Sequence, residues 1–307
     1  QGIRLQKSRI IGILVEGLDQ FSSTGIIEGI MSYAERKSYR TILVDMRLYD
    51  RWSDKWYDNE GIYQSVLTPS LQELLSIKVD GIIYVAGHAR KITCFKEDFE
   101  LPVVISYAYS SVQKHPSIVI DDEKGGYDAT EYLISMGHRK IGLIGGNKEN
   151  IHTQKRELGY QKALFEEKIL YNPGYVCHGN WSRQSGYFGA EKLIQNGVSA
   201  IFAMSDQIAT GIYEYLYEQH LTPGEDLSVC GFDNRDYSDY ILPSLTTMEI
   251  PLKEIGELSA RKLLQVMNAN ANETASEKDD FKNEVPVSCR LIKRASVNYI
   301  SEQITVN

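Results

Sequence analysis

The sequence lacks paired cysteine motifs and long apolar runs. Its 307 residues include four cysteines that lie far apart, and no CxxC pair occurs, which argues against a zinc ribbon or a dithiol redox centre. Cysteine usage of this kind is typical of a reducing compartment. No run approaches the ~18 apolar residues of a membrane helix. We therefore expect a cytoplasmic protein that has no membrane partner.

The sequence also lacks an excess of basic residues. Lysine and arginine total 33 against 41 aspartate and glutamate residues, which gives a net charge of −8. A protein that binds nucleic acid through a large face of its own normally carries a basic surface. The charge therefore argues against such a face within these residues.

Known catalytic and metal-binding motifs are missing as well. The chain contains no GxSxG elbow, HExxH pair, Walker A loop or GxGxxG fingerprint. Its six histidines are scattered, and no two stand at i and i+4 on one helix. We expect no enzyme activity, no cofactor and no metal. An enzyme built on the same scaffold stays open as an alternative, because a fold alone does not exclude one.

What the sequence does contain is a repeated alternation of strands and helices. Ile10–Val15 is a continuous apolar run, typical of a parallel strand buried on both faces. Gly25–Lys37 follows with apolar residues at helical spacing, and Val285–Leu291 is predicted as the closing strand. The rhythm restarts near residue 120. This predicts an α/β fold of two doubly wound parallel sheets, whose lobes share a ligand cleft at the carboxyl ends of their strands.

The lobes are predicted from this rhythm. The expected divisions are a linker at 1–9, an N-terminal lobe at 10–120 plus about 250–279, and a C-terminal lobe at 121–249 plus about 280–302.

Two segments stand outside the alternation. Tyr49–Gly61 places Trp52, Trp56 and Tyr57 among acidic residues, a mixture that suits a carbohydrate. One hypothesis is that this loop borders the cleft and extends it toward an oligosaccharide or a substituted sugar. The alternative is a solvated loop whose tryptophans pack on their own lobe. Asn268–Asn283 is polar and of low complexity, and we predict a flexible loop there.

The second half of the chain carries five motifs in a fixed order. In this order and spacing they resemble the effector-binding region of the LacI/GalR family of bacterial transcription regulators, and the resemblance covers residues 3–300. The motifs are 137–145 (GHRKIGLIG), 156–164 (RELGYQKAL), 200–209 (AIFAMSDQIA), 223–233 (PGEDLSVCGFD) and 243–247 (PSLTT).

The resemblance implies a periplasmic-binding-protein-like fold of type I and a role in transcription regulation. A small effector, expected to be a carbohydrate, would close the cleft of a homodimer and change its affinity for operator DNA. Ile3 stands where the family has a leucine that wedges into the DNA minor groove. A helix-turn-helix domain is expected to be missing before it, and DNA would bind through that domain. The alternative is a sugar-binding protein of a transporter, outside the membrane.

Three residues match effector contacts of the family and suit that chemistry. Arg156 can hold two oxygen atoms with its guanidinium, or it is a surface charge of its helix. Asp233 ends a strand where a carboxylate can accept sugar hydroxyls, or it caps the next turn. Trp181 can stack on the apolar face of a sugar ring, or it packs at the edge of its lobe.

Five further residues are candidate effector contacts from their family positions. His152 matches a polar contact, and Ser205 either contacts effector or only caps a helix. Ser22 and Ser23 replace two aromatic residues of many relatives, which implies a more polar or bulkier effector. Tyr107 stands where sugar-binding relatives often have aspartate, so the usual hydroxyl contact is in question there.

Overall fold

The chain folds into two compact units. The computed structural model describes residues 8–51, 59–269 and 283–300. Unit 1 consists of Gln1–Val119 with Pro251–Val287, and unit 2 of Ile120–Ile250 with Ser288–Asn307.

The elements are numbered along the chain. The first group is β1 (Ile10–Val15), α1 (Phe21–Arg36), β2 (Arg40–Asp45), α2 (Leu48–Arg51), α3 (Glu60–Ser76), β3 (Gly81–Val85), β4 (Lys91–Ile92), β5 (Val103–Ser106), β6 (Tyr109–Ser110) and β7 (Ser117–Ile120). The second is α4 (Asp122–Ser135), β8 (Ile141–Gly145), α5 (Ile151–Glu166), β9 (Val176–His178), α6 (Arg183–Gln195), β10 (Ala200–Ala203), α7 (Asp206–Glu218), β11 (Ser228–Asp233), α8 (Tyr237–Tyr240) and β12 (Thr246–Glu249). The last is α9 (Leu252–Ala269), β13 (Glu284–Val287) and β14 (Arg290–Ile292).

The two main sheets have the same strand order. The first runs β13-β7-β5-β3-β1-β2 and the second β14-β12-β11-β10-β8-β9. The registered pairs from β2 to β7 and from β9 to β12 are parallel, while β14 is antiparallel to β12. In each sheet the chain order reverses beside the first strand. Such a switch point places a crevice beyond the carboxyl ends of β1 and β3 in unit 1, and of β8 and β10 in unit 2.

Burial explains why these segments are strands. Every residue of β3, β5, β7, β8 and β10 is buried, as expected for parallel strands covered by helices on both faces. Fully buried aliphatic side chains such as Ile13 and Leu14 in unit 1 and Ile201 in unit 2 fill the space between sheet and helices. The predicted α/β fold with two parallel sheets is confirmed.

Two glycines let α4 and α5 approach closely. A Cβ added to Gly126 would lie 2.2 Å from the carbonyl oxygen of Arg156, and one added to Gly159 would lie 2.0 Å from that of Glu123. Any side chain at either position would therefore push the helices apart. This contact fixes the start of α4 relative to the middle of α5, where Arg156 and Gly159 lie.

Several predicted elements differ from the structure. The closing strand expected at Val285–Leu291 is two strands, because β13 joins the sheet of unit 1 and β14 that of unit 2. The alternation of apolar residues continues from β13 into β14, so the sequence does not show that the chain passes from one sheet to the other here. Helix α1 begins at Phe21 rather than Gly25, and Ser22 and Ser23 are buried in its first turn.

Parts of the sequence-based predictions lie outside the described residues. These are Ile3, residues 52–58 with Trp52, Trp56 and Tyr57, and residues 270–282. Within the Tyr49–Gly61 segment, Tyr49 lies in α2, and the Asn59 side chain caps α3 by accepting from the Ile62 amide. Over the described ranges, none of the helices is long and apolar enough to cross a membrane.

Candidate functional site

Arg156 occupies the centre of a polar cluster at the carboxyl edge of the unit 2 sheet. Its Nε donates to Asp122 Oδ1 at 2.8 Å, and its Nη1 donates to the carbonyl oxygen of Met204 at 2.6 Å. Met204 directly follows β10, so the guanidinium lies at the switch point of this sheet. Arg156 is only 2% exposed, and the interpretation as a surface helix charge is wrong.

Aromatic faces flank the same guanidinium. Its central carbon lies 3.6 Å from the centroid of the Phe232 ring and 5.8 Å from that of Trp181. Trp181 covers the backbone just beyond β8, because a Cβ at Gly146 would lie 1.9 Å from its indole. A planar cation held on an aromatic face has a fixed orientation, which favours specific recognition of oxygen atoms.

Asp122 joins Arg156 to His152. Asp122 is the first residue of α4 and is 1% exposed. His152 Nδ1 lies 2.7 Å from Asp122 Oδ2, so each carboxylate oxygen has one partner. Burial alone would raise the pKa of Asp122, but His152 and Arg156 outweigh it and lower that pKa below its usual value. The carboxylate therefore stays ionised and holds both side chains in place.

Asp233 supplies a second carboxylate at this edge. It ends β11, and its Oδ1 lies 4.0 Å from Arg156 Nη1, which is beyond hydrogen-bond range. Its side chain is 10% exposed. Burial raises the pKa of Asp233 to about 8, Arg156 opposes this rise, and the charge of Asp206 adds to it.

The other candidates take different places. Ser205 is buried and caps α7, because its Oγ accepts from the Ile208 amide at 3.1 Å. In unit 1, Ser23 Oγ donates to the Gly17 carbonyl oxygen at 2.8 Å. Ser22 is buried beside it, and its Oγ has no hydrogen-bond partner among the described residues. Tyr107 is buried directly after β5, with a φ of +70°.

Unit 1 has a polar cluster of its own that the sequence did not reveal. Glu16, directly after β1, is fully buried, and its Oε1 lies 2.5 Å from Arg90 Nη2. Glu16 also accepts from the Tyr84 hydroxyl at 2.6 Å, the Gly87 amide at 2.8 Å and the Tyr49 hydroxyl at 3.2 Å. Burial would raise the pKa of Glu16, but Arg90 outweighs it and the pKa is lowered.

The structure thus brings four of the eight candidates together or nearly so. Arg156 lies 4.0 Å from Asp233 and 5.8 Å from the centroid of the Trp181 ring, and His152 is linked to Arg156 through Asp122. Asp122, Phe232 and the Met204 carbonyl were missed. One available signal was an acidic residue placed just where a buried strand gives way to a helix, which Asp122 shares with Asp206. Within the described residues, no group of three potential metal-binding side chains is found.

Comparisons with known proteins show the family to which the chain belongs. Residues 130–297 match the model of the periplasmic binding protein-like domain. The ribose operon repressor of Haemophilus influenzae is 30% identical over 279 residues, which cover 89% of this chain and 79% of that protein. Catabolite control protein A of Priestia megaterium is 29% identical over 273 residues, 87% of this chain and 78% of that protein.

A solved structure adds a bound ligand to the comparison. A LacI-family transcriptional regulator from Enterococcus faecium, crystallised with ribose, is 25% identical and superposes with a TM-score of 0.68 over 95% of this chain and all of that one. The relatives named here are transcription regulators, so the transporter alternative finds no support among them. The chain belongs to the LacI/GalR family and carries its effector-binding, periplasmic-binding-protein-like domain.

Proposed function

We propose that this domain senses a small carbohydrate, which binds at the carboxyl edge of the unit 2 sheet and changes the affinity of the regulator for operator DNA. The observation that carries the proposal is the fixed orientation of Arg156. Asp122 and the Met204 carbonyl bind two of its nitrogens, and Phe232 covers one face of its guanidinium. Asp233 lies just beyond hydrogen-bond range of it.

This arrangement suits a sugar. A guanidinium donates to sugar oxygens, a carboxylate accepts from hydroxyls, and an indole such as that of Trp181 packs on the apolar C–H face of a pyranose or furanose ring. The named relatives include a ribose operon repressor and a regulator crystallised with ribose, which supports the same class of effector. Ser22, Ser23 and Tyr107 stay predicted contacts on unit 1.

Substitution of Arg156 tests this proposal. Arg156→Lys keeps a positive charge beside Asp122 but removes the planar fork, so the fold should persist while sugar binding weakens by about 1–3 kcal/mol. Titration calorimetry against a panel of pentoses, hexoses, disaccharides and their phosphates would identify the effector and measure this loss. Arg183→Lys is the matched control, because Arg183 is exposed on α6 and lies 3.4 Å from Glu214.

Two outcomes would contradict the proposal. If Arg156→Lys bound the selected sugar as tightly as the wild-type domain, Arg156 would not be an effector contact. If no panel member bound the wild-type domain, the carbohydrate class would be wrong. Catalytic turnover of a panel sugar would contradict our expectation that the domain is not an enzyme, which the repressor relatives support.

We further propose that the regulator acts in the cytoplasm as a homodimer, with DNA bound through a separate N-terminal domain. Unit 2 exposes large apolar side chains on neighbouring segments, since the Tyr213 hydroxyl of α7 donates to the Pro243 carbonyl at 2.8 Å. Tyr217, Tyr240 and Leu242 are strongly exposed there. Burial of such residues is a common basis of symmetric association.

Analytical ultracentrifugation tests the homodimer. At micromolar concentration the domain should sediment at about twice 34.8 kDa. Leu242→Asp should shift it to monomer, while Leu170→Asp, at an equally exposed leucine elsewhere in unit 2, should leave it dimeric. A wild-type monomer would refute the dimer, and a dimeric Leu242→Asp variant would refute this contact surface.

A further inference from the structure

The segment that carries Asp233 has an unusual backbone. Asp233 has a φ of +116° and the next residue, Asn234, a φ of +57°, although neither is glycine. Positive φ is unfavourable for residues with a Cβ, and consecutive residues in this region persist only where the surrounding structure holds them. The conformation of this segment therefore depends on groups that fasten it from outside.

Asp206, the first residue of α7, provides the main fastening. Its Oδ2 accepts from the Arg235 amide at 2.7 Å and from the Ser238 hydroxyl at 2.6 Å, so one oxygen holds the turn that follows Asp233. Its Oδ1 accepts from the Thr247 hydroxyl at 2.6 Å, on the neighbouring strand β12. Asp206 is fully buried, so it is not itself available to an effector.

The same carboxylate also lies against the strand before Asp233. A Cβ added to Gly231 would lie 2.3 Å from Asp206 Oδ1, so a side chain at that position would collide with it. Asp206 thus contacts the chain two residues before Asp233 and two residues after it. Arg294 also holds this segment, because its Nη2 donates to Asn234 Oδ1 at 2.8 Å.

We infer that Asp206 is a positioning residue, which holds Asp233 in the orientation that receives the effector. The inference rests on the proposed function, because it assigns a task to a residue behind the proposed contact. It parallels the role of Asp122, which holds Arg156 from the first turn of α4. One buried aspartate at a helix start would then support each charged group of the site.

The inference has an electrostatic consequence that a merely structural role would lack. Burial raises the pKa of Asp206, and the charge of its ionised carboxylate raises the pKa of Asp233, so a neutral residue at 206 should lower the pKa of Asp233. The pH at which effector affinity changes with Asp233 protonation should therefore move downward. The other titratable or charged groups that act on Asp233, or that it acts on, are Arg156, Arg235, Asp122, Tyr237 and Cys289.

The experiment compares Asp206→Asn with Tyr160→Phe in the whole domain. Tyr160 is a buried residue of α5 whose hydroxyl donates to the Ile141 carbonyl at 2.8 Å, away from the Asp233 segment. Removal of this buried hydroxyl in Tyr160→Phe controls for general destabilisation of the fold. The probe is D-ribose or, where ribose does not bind, the panel sugar that binds the wild-type domain most tightly, titrated calorimetrically from pH 5 to 9. Asp233→Asn identifies the pH step that belongs to Asp233, since that variant should lack it.

We expect Asp206→Asn to weaken binding by about tenfold and to move the Asp233 step to lower pH. Tyr160→Phe should keep both the affinity and the step. Wild-type affinity and an unmoved step in folded Asp206→Asn would overturn the inference. If Asp206→Asn does not fold, Ser238→Ala decides, because it removes one donor from the turn. Weakened binding relative to Tyr160→Phe supports the inference, and equal binding overturns it.

The proposed function fails separately. If Arg156→Lys and Asp233→Asn both kept wild-type affinity, the proposed site itself would be wrong. If those two variants lost binding while Asp206→Asn kept it, only the positioning role of Asp206 would be wrong.

Discussion

Units 1 and 2 share a strand order but use buried charges differently at the switch points of their sheets. In unit 1, Glu16 and Arg90 form a 2.5 Å ion pair, and two tyrosine hydroxyls and a backbone amide also donate to the carboxylate. In unit 2, Asp122 and Arg156 form a comparable pair at 2.8 Å. There, however, a second carboxylate is present, because Asp233 Oδ1 lies 4.0 Å from Arg156 Nη1.

We infer from this difference that the unit 1 cluster is structural and propose that the unit 2 cluster serves a ligand. The Glu16 carboxylate has four donors from its own unit, so its desolvation is compensated within the protein. Asp233 is nearly buried, yet Arg156 Nη1 lies 4.0 Å from its Oδ1, which is too far for a hydrogen bond. A sugar hydroxyl would supply such a bond. We therefore propose that an incomplete set of hydrogen-bond partners, rather than burial of an ionisable group alone, marks the binding site.

The largest expected effect tests the structural half of this comparison. Glu16→Gln leaves the buried Arg90 without its counter-charge and should destabilise unit 1 by about 3–5 kcal/mol. Hydrogen exchange of the β1 and β3 amides would measure the loss in unit 1 itself. Sugar affinity below the unfolding temperature should stay near the wild-type value.

An exposed ion pair in the same unit is the control for Glu16→Gln. Arg36 and Glu257 lie 3.1 Å apart with both side chains partly exposed, so Glu257→Gln should cost about 0–1 kcal/mol. A Glu16→Gln variant as stable as Glu257→Gln would show that the buried pair does not stabilise unit 1. A large loss of sugar affinity with intact folding would instead make Glu16 part of the effector site.

Much of the fold could be predicted because buried parallel strands leave a plain signal. The runs at Ile10–Val15, Gly81–Val85 and Val103–Ser106 are apolar at nearly every position, and the structure has strands with the same bounds. The sequence gives a weaker signal for β12, because Thr246 and Thr247 make it look polar although both are buried. Local patterns do not show when a hydroxyl is satisfied by a distant partner.

The site could be predicted only in part, for a related reason. Arg156, Asp233 and Trp181 were found through family motifs, and the structure places them near one another. Asp122 and Asp206 act through hydrogen bonds to residues about 30 positions away in sequence. No spacing rule links residues so far apart. These hydrogen bonds can therefore be identified only in the folded structure, where the sheet brings the loop ends together.

A smaller effect, the dependence of stability on pH, would sharpen the comparison between the units. The pKa of Glu16 is lowered by folding, so its contribution is present above the ordinary carboxyl pKa and is lost as pH falls through the folded value. The pKa of Asp233 is raised to about 8, chiefly by burial. Its contribution is therefore present below the ordinary value and is lost as pH rises to about 8, because the folded state binds the extra proton.

Between pH 5 and 8, Asp233 should consequently make unit 2 lose stability, by on the order of 1 kcal/mol per pH unit at the steepest point, whereas Glu16 should leave unit 1 unaffected. Hydrogen exchange of β8 and β10 amides, compared with β1 and β3 at each pH, would measure both units in one sample. Asp233→Asn removes the titrating group, so the slope of unit 2 should flatten while that of unit 1 stays the same. An equal slope in the variant would mean that Asp233 is already ionised at neutral pH, and unit 2 would then hold its second carboxylate as a charge, as unit 1 holds Glu16.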